Sequence, residues 1–206
     1  MAVGLQPILE EAVAEAETPH VGRLYRLSIE QYHRMIEAEI FGPEDRLELL
    51  EGLLVKTMGK NPPHNVCTYL VQRILGQVVP PGWFVTMQNP ITLAGSSSEP
   101  EPDAIIVRGE PRDYLNRTPA AGDIALAIEV SDSTLRFDRT VKKRIYARDA
   151  VPFYWMLNLV DNRLEVFSEP EGVDYRKHQI FGPEDTVPLI LDGREVARIA
   201  VKDLLP

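Results

Sequence analysis

The 206-residue sequence is 44% hydrophobic and 26% charged, with a formal net charge of −9, which fits one globular domain with a sizeable core. No window approaches the roughly 18 consecutive apolar residues of a membrane-spanning helix, so a cytoplasmic, soluble chain is expected. The negative charge argues against general binding to nucleic acid over the whole surface, because phosphate contacts need clustered Lys and Arg.

In chain order, residues 1–19 are rich in Ala and Glu, with Glu10, Glu11, Glu15 and Glu17 ahead of the first Arg at position 23. They suit a solvated helix or a frayed tail, which leaves 20–206 as one domain. Ser28 followed by Gln31 reads as a capping box, and Ile29, Tyr32, Met35 and Ile36 then recur at helical spacing. This predicts a helix over about 29–39, stopped by Phe41-Gly42-Pro43. Leu47 to Val55 reads as strand, turn at Gly52 and strand, although the Leu spacing would also fit a helix. Pro62-Pro63 opens a second helix with Val66, Leu70, Ile74 and Leu75 on one face, ended by Pro80-Pro81-Gly82. The lone Cys67 cannot form an internal disulfide and reads as a small buried hydrophobe.

From Trp83 onward the texture turns to short apolar or alternating runs: 84–93, 104–107, 124–130, 153–160, 164–167 and 175–181. Asp161-Asn162 between two of them suggests a hairpin. The stretch from Asp138 to Arg148, with Val141 and Ile145 four apart, is the one helix predicted among these strands. It lies in a basic segment, Arg136 to Arg148, whose six Lys and Arg face Asp138 alone. The predicted fold class is α/β (α+β), a mixed sheet core flanked by helices.

Two acids need a physical explanation. The run Ile124 to Val130 is apolar apart from Glu129, which marks a strand covered on both faces. An ionised carboxylate there is costly unless it is paired, bound to a cation or reached by water. Asp103 opens the apolar strand 104–107 directly after Pro102. If these strands pair, they lie about 4.8 Å apart, and facing carboxylates repel each other. A divalent cation removes that repulsion; oxygen-only ligation suits Mg2+ or Mn2+. Such a centre activates a water and polarises a phosphoryl oxygen, the requirements of phosphodiester hydrolysis. Lys142, with Tyr146 one turn later on the same helical face, could orient the water or stabilise developing charge. Taken singly, each of these residues has an ordinary structural reading; the combination carries the weight.

The set Pro102-Asp103, Glu129-Val130-Ser131, Asp138 to Lys142, Tyr146 and Tyr154-Trp155 resembles a bacterial restriction-endonuclease family of the PD-(D/E)XK nuclease superfamily. The resemblance runs from the Ser28 helix through Val201 to Leu205. It implies a restriction-endonuclease-like sheet and Mg2+-dependent DNA cleavage by Glu48, Asp103, Glu129 and Lys142. The metal ligands would be Asp103, Glu129 and Glu48. Ser131 stands where the simple motif has its lysine, and Lys142 on the following helix is the matching position, with Lys143 as its rival. Glu48 matches the early acidic motif; Glu51 is the alternative, and on a strand the two would face opposite ways.

Other positions read more plainly. His64 is expected as a surface imidazole, Gln88 as a solvent-facing strand residue, Tyr146 as packing, and Tyr154 and Trp155 as core. DNA is the expected partner, through the basic 136–148 segment, and a homodimer is expected from the need for two sites in duplex cleavage. The competing reading is a catalytically inactive nuclease fold kept as a binding or regulatory module.

Overall fold

A computed structural model describes residues 24–42, 44–57 and 59–206, so the tail reading of residues 1–19 lies outside the described residues. Helix α1 spans Ile29–Glu37, and both bonds of its predicted capping box form: Gln31 N–H donates to Ser28 Oγ, and Ser28 N–H to Gln31 Oε1. Strands β1 (Leu47–Leu50) and β2 (Leu53–Lys56) pair antiparallel around Glu51 and Gly52. Gly52 has φ +79°, and a Cβ there would meet Arg26 Cβ at 2.7 Å, so the turn needs glycine.

Helix α2 spans Pro62–Val78, with Asn61 as its N-cap. Its core face is His64, Cys67, Val71 and Leu75. This corrects the expected face, since Val66 is 48% exposed. The spacing is helical on either face; what selects the inner one is the sheet the helix lies against.

That sheet has six strands in the order β3-β4-β5-β6-β7-β8. They are β3 (Trp83–Thr86), β4 (Ala104–Arg108), β5 (Ile124–Ser131), β6 (Phe153–Asn158), β7 (Arg163–Glu171) and β8 (Asp174–Phe181). All neighbouring pairs are antiparallel except β5 with β6, which is parallel. A parallel pair needs a crossover, and helix α3 supplies it. This helical run is α at Leu135–Phe137, π at Asp138–Lys142 and α again at Lys143–Arg148. The first strand is shorter than the predicted 84–93 run: it stops at Thr86, and Gln88 adopts φ +53°.

Every residue of β5 is buried, as its unbroken apolar run requires. Leu126, Ile128 and Val130 join a core shared with Cys67, Val71 and Leu75 of α2. Ala127 joins the opposite core, which contains Ile145 and Tyr146 of α3. Trp155 and Tyr154 divide between the same two cores, as expected of buried residues. A final hairpin, β9 (Thr186–Leu191) and β10 (Arg194–Ala200), closes the α2 side with Val187, Leu189, Leu191 and Ile199. The sequence reading had no strand there. The signal was present: alternating Val187, Leu189 and Leu191 ahead of an Asp192-Gly193 turn.

Candidate active site

Strands β4 and β5 pair with Ala104 opposite Ile128, so Asp103 comes beside the Glu129–Val130 segment. The Val130 N–H donates to Asp103 Oδ2 at 2.9 Å. Two further groups hold Asp103: Lys60 Nζ at 2.9 Å from Oδ1 and His64 Nε2 at 3.1 Å from Oδ2. Burial pushes the Asp103 carboxyl upward, but the His64 hydrogen bond, the His64 and Lys60 charges and the Val130 N–H outweigh it and leave it below the usual range. His64 is therefore not the surface imidazole expected. It is buried, because the first turn of α2 faces the end of β4.

Glu129 shares its side of β5 with Ala127 and faces α3. Tyr146 donates its hydroxyl to Glu129 Oε1 at 2.6 Å, and Lys142 Nζ lies 3.3 Å from the same oxygen. Lys142 also reaches Glu48 Oε2 at 2.7 Å, while Glu48 Oε1 accepts from the Glu101 N–H at 3.0 Å. Lys142 sits in the π segment, where widened winding often marks functional positions. Burial and the Asp138, Asp103 and Glu48 charges push Glu129 up against the opposing pull of Lys142. Lys142 stays firmly protonated: burial alone would lower it, and Glu129 and Glu48 more than reverse that.

Glu48, Asp103, Glu129 and Lys142 are each 4–6% exposed, and all four line one pocket of about 640 Å³. Asp103, Glu129 and Lys142 are read from the residues and Glu48 from the resemblance, and the fold brings the four together from separate segments. Lys143 points elsewhere, to Asp174 at 2.7 Å. Glu51 also lies apart, paired with Arg144 at 2.7 Å and Arg148 at 3.0 Å. Gln88 is exposed and lines the same pocket. Tyr146 does pack, against Tyr154 with ring centroids 5.0 Å apart, and its hydroxyl reaches the site as well.

Two site neighbours, Lys60 and Glu101, have no reading in the sequence, and a third, Asp138, is read there only as part of the Asp138 to Lys142 stretch. Lys60 contacts an acid far along the chain, which no local pattern reveals. Glu101 lines the pocket beside Glu48, and burial and the Glu48 charge raise its carboxyl. Asp138 is buried under the site, accepting from Ser131 Oγ at 2.7 Å and Thr134 Oγ1 at 2.6 Å. Ser131, two residues after Glu129, thus anchors the start of the helix that carries the lysine.

The donor set is hard: carboxylate oxygens on the floor of an open pocket, as Mg2+ or Mn2+ requires. Among the described residues, no three His, Cys, Asp or Glu side chains are disposed to ligate one ion together. Two carboxylates suffice for Mg2+, which keeps waters and takes substrate phosphates as its remaining ligands. Asp103 and Glu129 on paired strands therefore fit such an ion, and Glu48 stands nearby across Lys142. The basic segment is less available than its composition suggests. Arg139 pairs with Glu165 at 2.6 Å, and Lys142, Lys143, Arg144 and Arg148 are engaged as above.

The family model of Uma2, described as "Putative restriction endonuclease", matches residues 29–201. Among solved structures, the chain is similar to a protein from Anabaena variabilis described as "a putative nuclease belonging to DUF820". The two share 14% identity with a TM-score of 0.65, over 86% of this chain and 97% of that one. At that identity the likeness concerns the fold. No curated protein matches the chain. No helix among the described residues is long and apolar enough to cross a membrane.

Proposed function

The chain belongs to the Uma2 family, and from that premise we propose that it is an Mg2+- or Mn2+-dependent endonuclease that hydrolyses phosphodiester bonds in DNA. The observation that carries this reading is the meeting of Glu48, Asp103, Glu129 and Lys142 on the floor of one pocket. The three buried acids outnumber their lysine partners, Lys60 and Lys142, and the carboxylate left over is tolerable where a divalent cation offsets it.

Asp103 and Glu129 would hold the cation, with Glu48 completing the acidic set. When bound, the ion supplies a water of lowered pKa and a polarised phosphoryl oxygen. The protein's own part is positioning and charge. Lys60, His64 and the Val130 N–H keep Asp103 ionised and fixed. Tyr146 fixes Glu129 through its hydroxyl. Lys142, held charged between Glu129 and Glu48, orients the attacking water and meets the negative charge that grows on the phosphoryl oxygens during in-line displacement.

A second reading, an inactive nuclease fold kept as a binding module, draws on one observation. Asp103, Glu129 and Glu48 each already have a cationic partner in Lys60 or Lys142. Cleavage of plasmid and single-stranded DNA with Mg2+ or Mn2+ separates the two. The endonuclease reading expects losses of roughly 10²-fold or more in Glu129→Ala and Lys142→Ala, with folding checked by circular dichroism. Activity that survives both substitutions sinks it. No metal binding in the millimolar range by calorimetry favours the module.

A further inference from the structure

We propose, resting on the endonuclease reading above, that the substrate form this site takes is single-stranded DNA, with one unstacked base lying against Phe41 and the adjoining phosphates on Arg46 and Lys56. The acids and Lys142 are only 4–6% exposed and form the floor of a pocket of about 640 Å³, within the roughly 300–1,000 Å³ of small-molecule sites. In a duplex the bases are stacked inside and the stiff backbone follows a regular helix. Bringing one phosphate onto so recessed a floor takes a strand that can bend away from its partner. A duplex would have to unpair and unstack locally, at a cost a single strand largely avoids.

The composition of the wall adds a second, independent point. Tyr32, Ile36, Phe41, Leu47 and Val55 form an apolar part of the pocket lining, with Asp45, Arg46 and Lys56 beside it. An apolar wall gives nothing to a phosphate backbone but suits the face of a base, and aromatic platforms are the usual means of holding unstacked bases. Phe41 is half-buried, with its ring centroid 6.0 Å from that of Tyr32. Tyr32 is itself fixed by donating its hydroxyl to the Leu47 carbonyl at 3.0 Å. The platform is thus tied to β1, the strand that carries Glu48.

The distribution of charge gives the third. The cations of α3 are largely spent on carboxylates, whereas Arg46 and Lys56 are exposed, line the same pocket and have no carboxylate partner among the described residues. Arg46 directly precedes Leu47, and Leu47 pairs with Lys56 across the β1–β2 hairpin. The two cations therefore sit together at one end of the hairpin, beside the apolar wall. A strand with its base on Phe41 would carry its phosphates past them.

The test uses the full chain and one oligodeoxynucleotide sequence, presented single-stranded and as a blunt duplex. Cleavage is followed with Mg2+, and binding by fluorescence polarisation with Ca2+ in place of Mg2+. The single strand is expected to be cleaved and bound at least about tenfold better than the duplex. Phe41→Ala should remove most of that preference, and Phe41→Trp should keep it. Phe41→Leu, which preserves apolar bulk for folding, should also lose it. Arg46→Ala and Lys56→Ala should each flatten the salt dependence of single-strand binding by roughly one phosphate contact, a change of about 0.7 in slope. Equal use of the two forms, or a Phe41→Ala effect equal on both, overturns the proposal. If neither form is cleaved, the endonuclease reading fails by itself, while the binding arm still decides the single-strand preference.

Discussion

The Lys142 ammonium lies 3.3 Å from the Glu129 carboxylate and 2.7 Å from that of Glu48, with all three side chains buried. Removing one partner of a buried ionic group costs about 3–5 kcal/mol, because the other charge stays behind unpaired. Lys142→Met, which keeps the volume, is therefore expected to lower the melting temperature of metal-free protein at pH 8 by roughly 6–20 °C for a domain of this size. The loss should shrink as pH falls from 8 to 5, because Glu129, pushed up to about 8 by burial, takes up its proton in the folded protein before it does in the unfolded chain. Mg2+ should restore part of it at pH 8. A melting temperature that does not respond to Mg2+ in this variant would argue against a cation between these acids.

Glu48 and Glu51 separate cleanly in the structure, and so should their variants. Glu48 faces Lys142 on the pocket floor, whereas Glu51 sits at the hairpin turn, φ +49°, binding Arg144 and Arg148. Glu48→Gln is expected to reduce cleavage by roughly 10²-fold. Glu51→Gln should cost about 1 kcal/mol or less, since its arginine partners are about a third exposed and screened by solvent. Its cleavage rate should stay within a few fold. Melting curves and initial rates on both variants decide it, and the reverse ranking would shift the early acid to Glu51.

How much of this could be read in advance depended on whether the determining contact was local. The capping box of Ser28 and Gln31, the buried run around Glu129 and the Pro102-Asp103 opening of β4 are short-range patterns, and the structure reproduces each. The inner face of α2 was not legible. Its choice of His64, Cys67, Val71 and Leu75 is made by β4, β5 and the terminal β9–β10 hairpin. The same α2 face turns His64 toward Asp103. Lys60 and Glu101 are site neighbours only because β1, α2 and the loop before β4 converge. The basic segment misled in the opposite direction: its positive composition is local, but its carboxylate partners Glu51, Glu165 and Asp174 come from distant strands and turns.

Tyr146 is expected to act as a positioning residue. Burial, then the Glu129 charge, holds its phenol well above the ordinary range, so it remains a hydrogen-bond donor to Glu129. Tyr146→Phe keeps the ring packing on Tyr154 and deletes only that bond. A buried hydrogen bond to a charged group contributes about 1.5–3 kcal/mol, and loss of a group orienting a metal ligand costs roughly 10–100-fold. The predicted signature is a kcat lowered within that range, an unchanged KM and weaker Mg2+ binding. A loss of stability with unchanged kcat and Mg2+ affinity would make the contact structural only.

Asp138 gives a pH dependence whose sign is fixed by burial. Desolvation raises its carboxyl from 3.8 to about 6, against the opposing bonds from Thr134 and Ser131 and the charge of Lys142. An acid whose folded pKa lies above its unfolded one favours the protonated native state. Its contribution is fully present below about pH 4 and is lost as pH rises through about 6. A separation of about two pKa units corresponds to roughly 3 kcal/mol. Asp138→Asn retains an acceptor for Ser131 Oγ and Thr134 Oγ1 without the charge. In metal-free protein the variant should therefore match the wild type near pH 4 and exceed its stability by up to about that amount near pH 8, with the gap opening between pH 4 and 6. Denaturant titrations at pH 4, 5, 6, 7 and 8 measure the gap directly. A constant offset across the series would show that Asp138 is ionised throughout, held by Lys142 more strongly than burial opposes it.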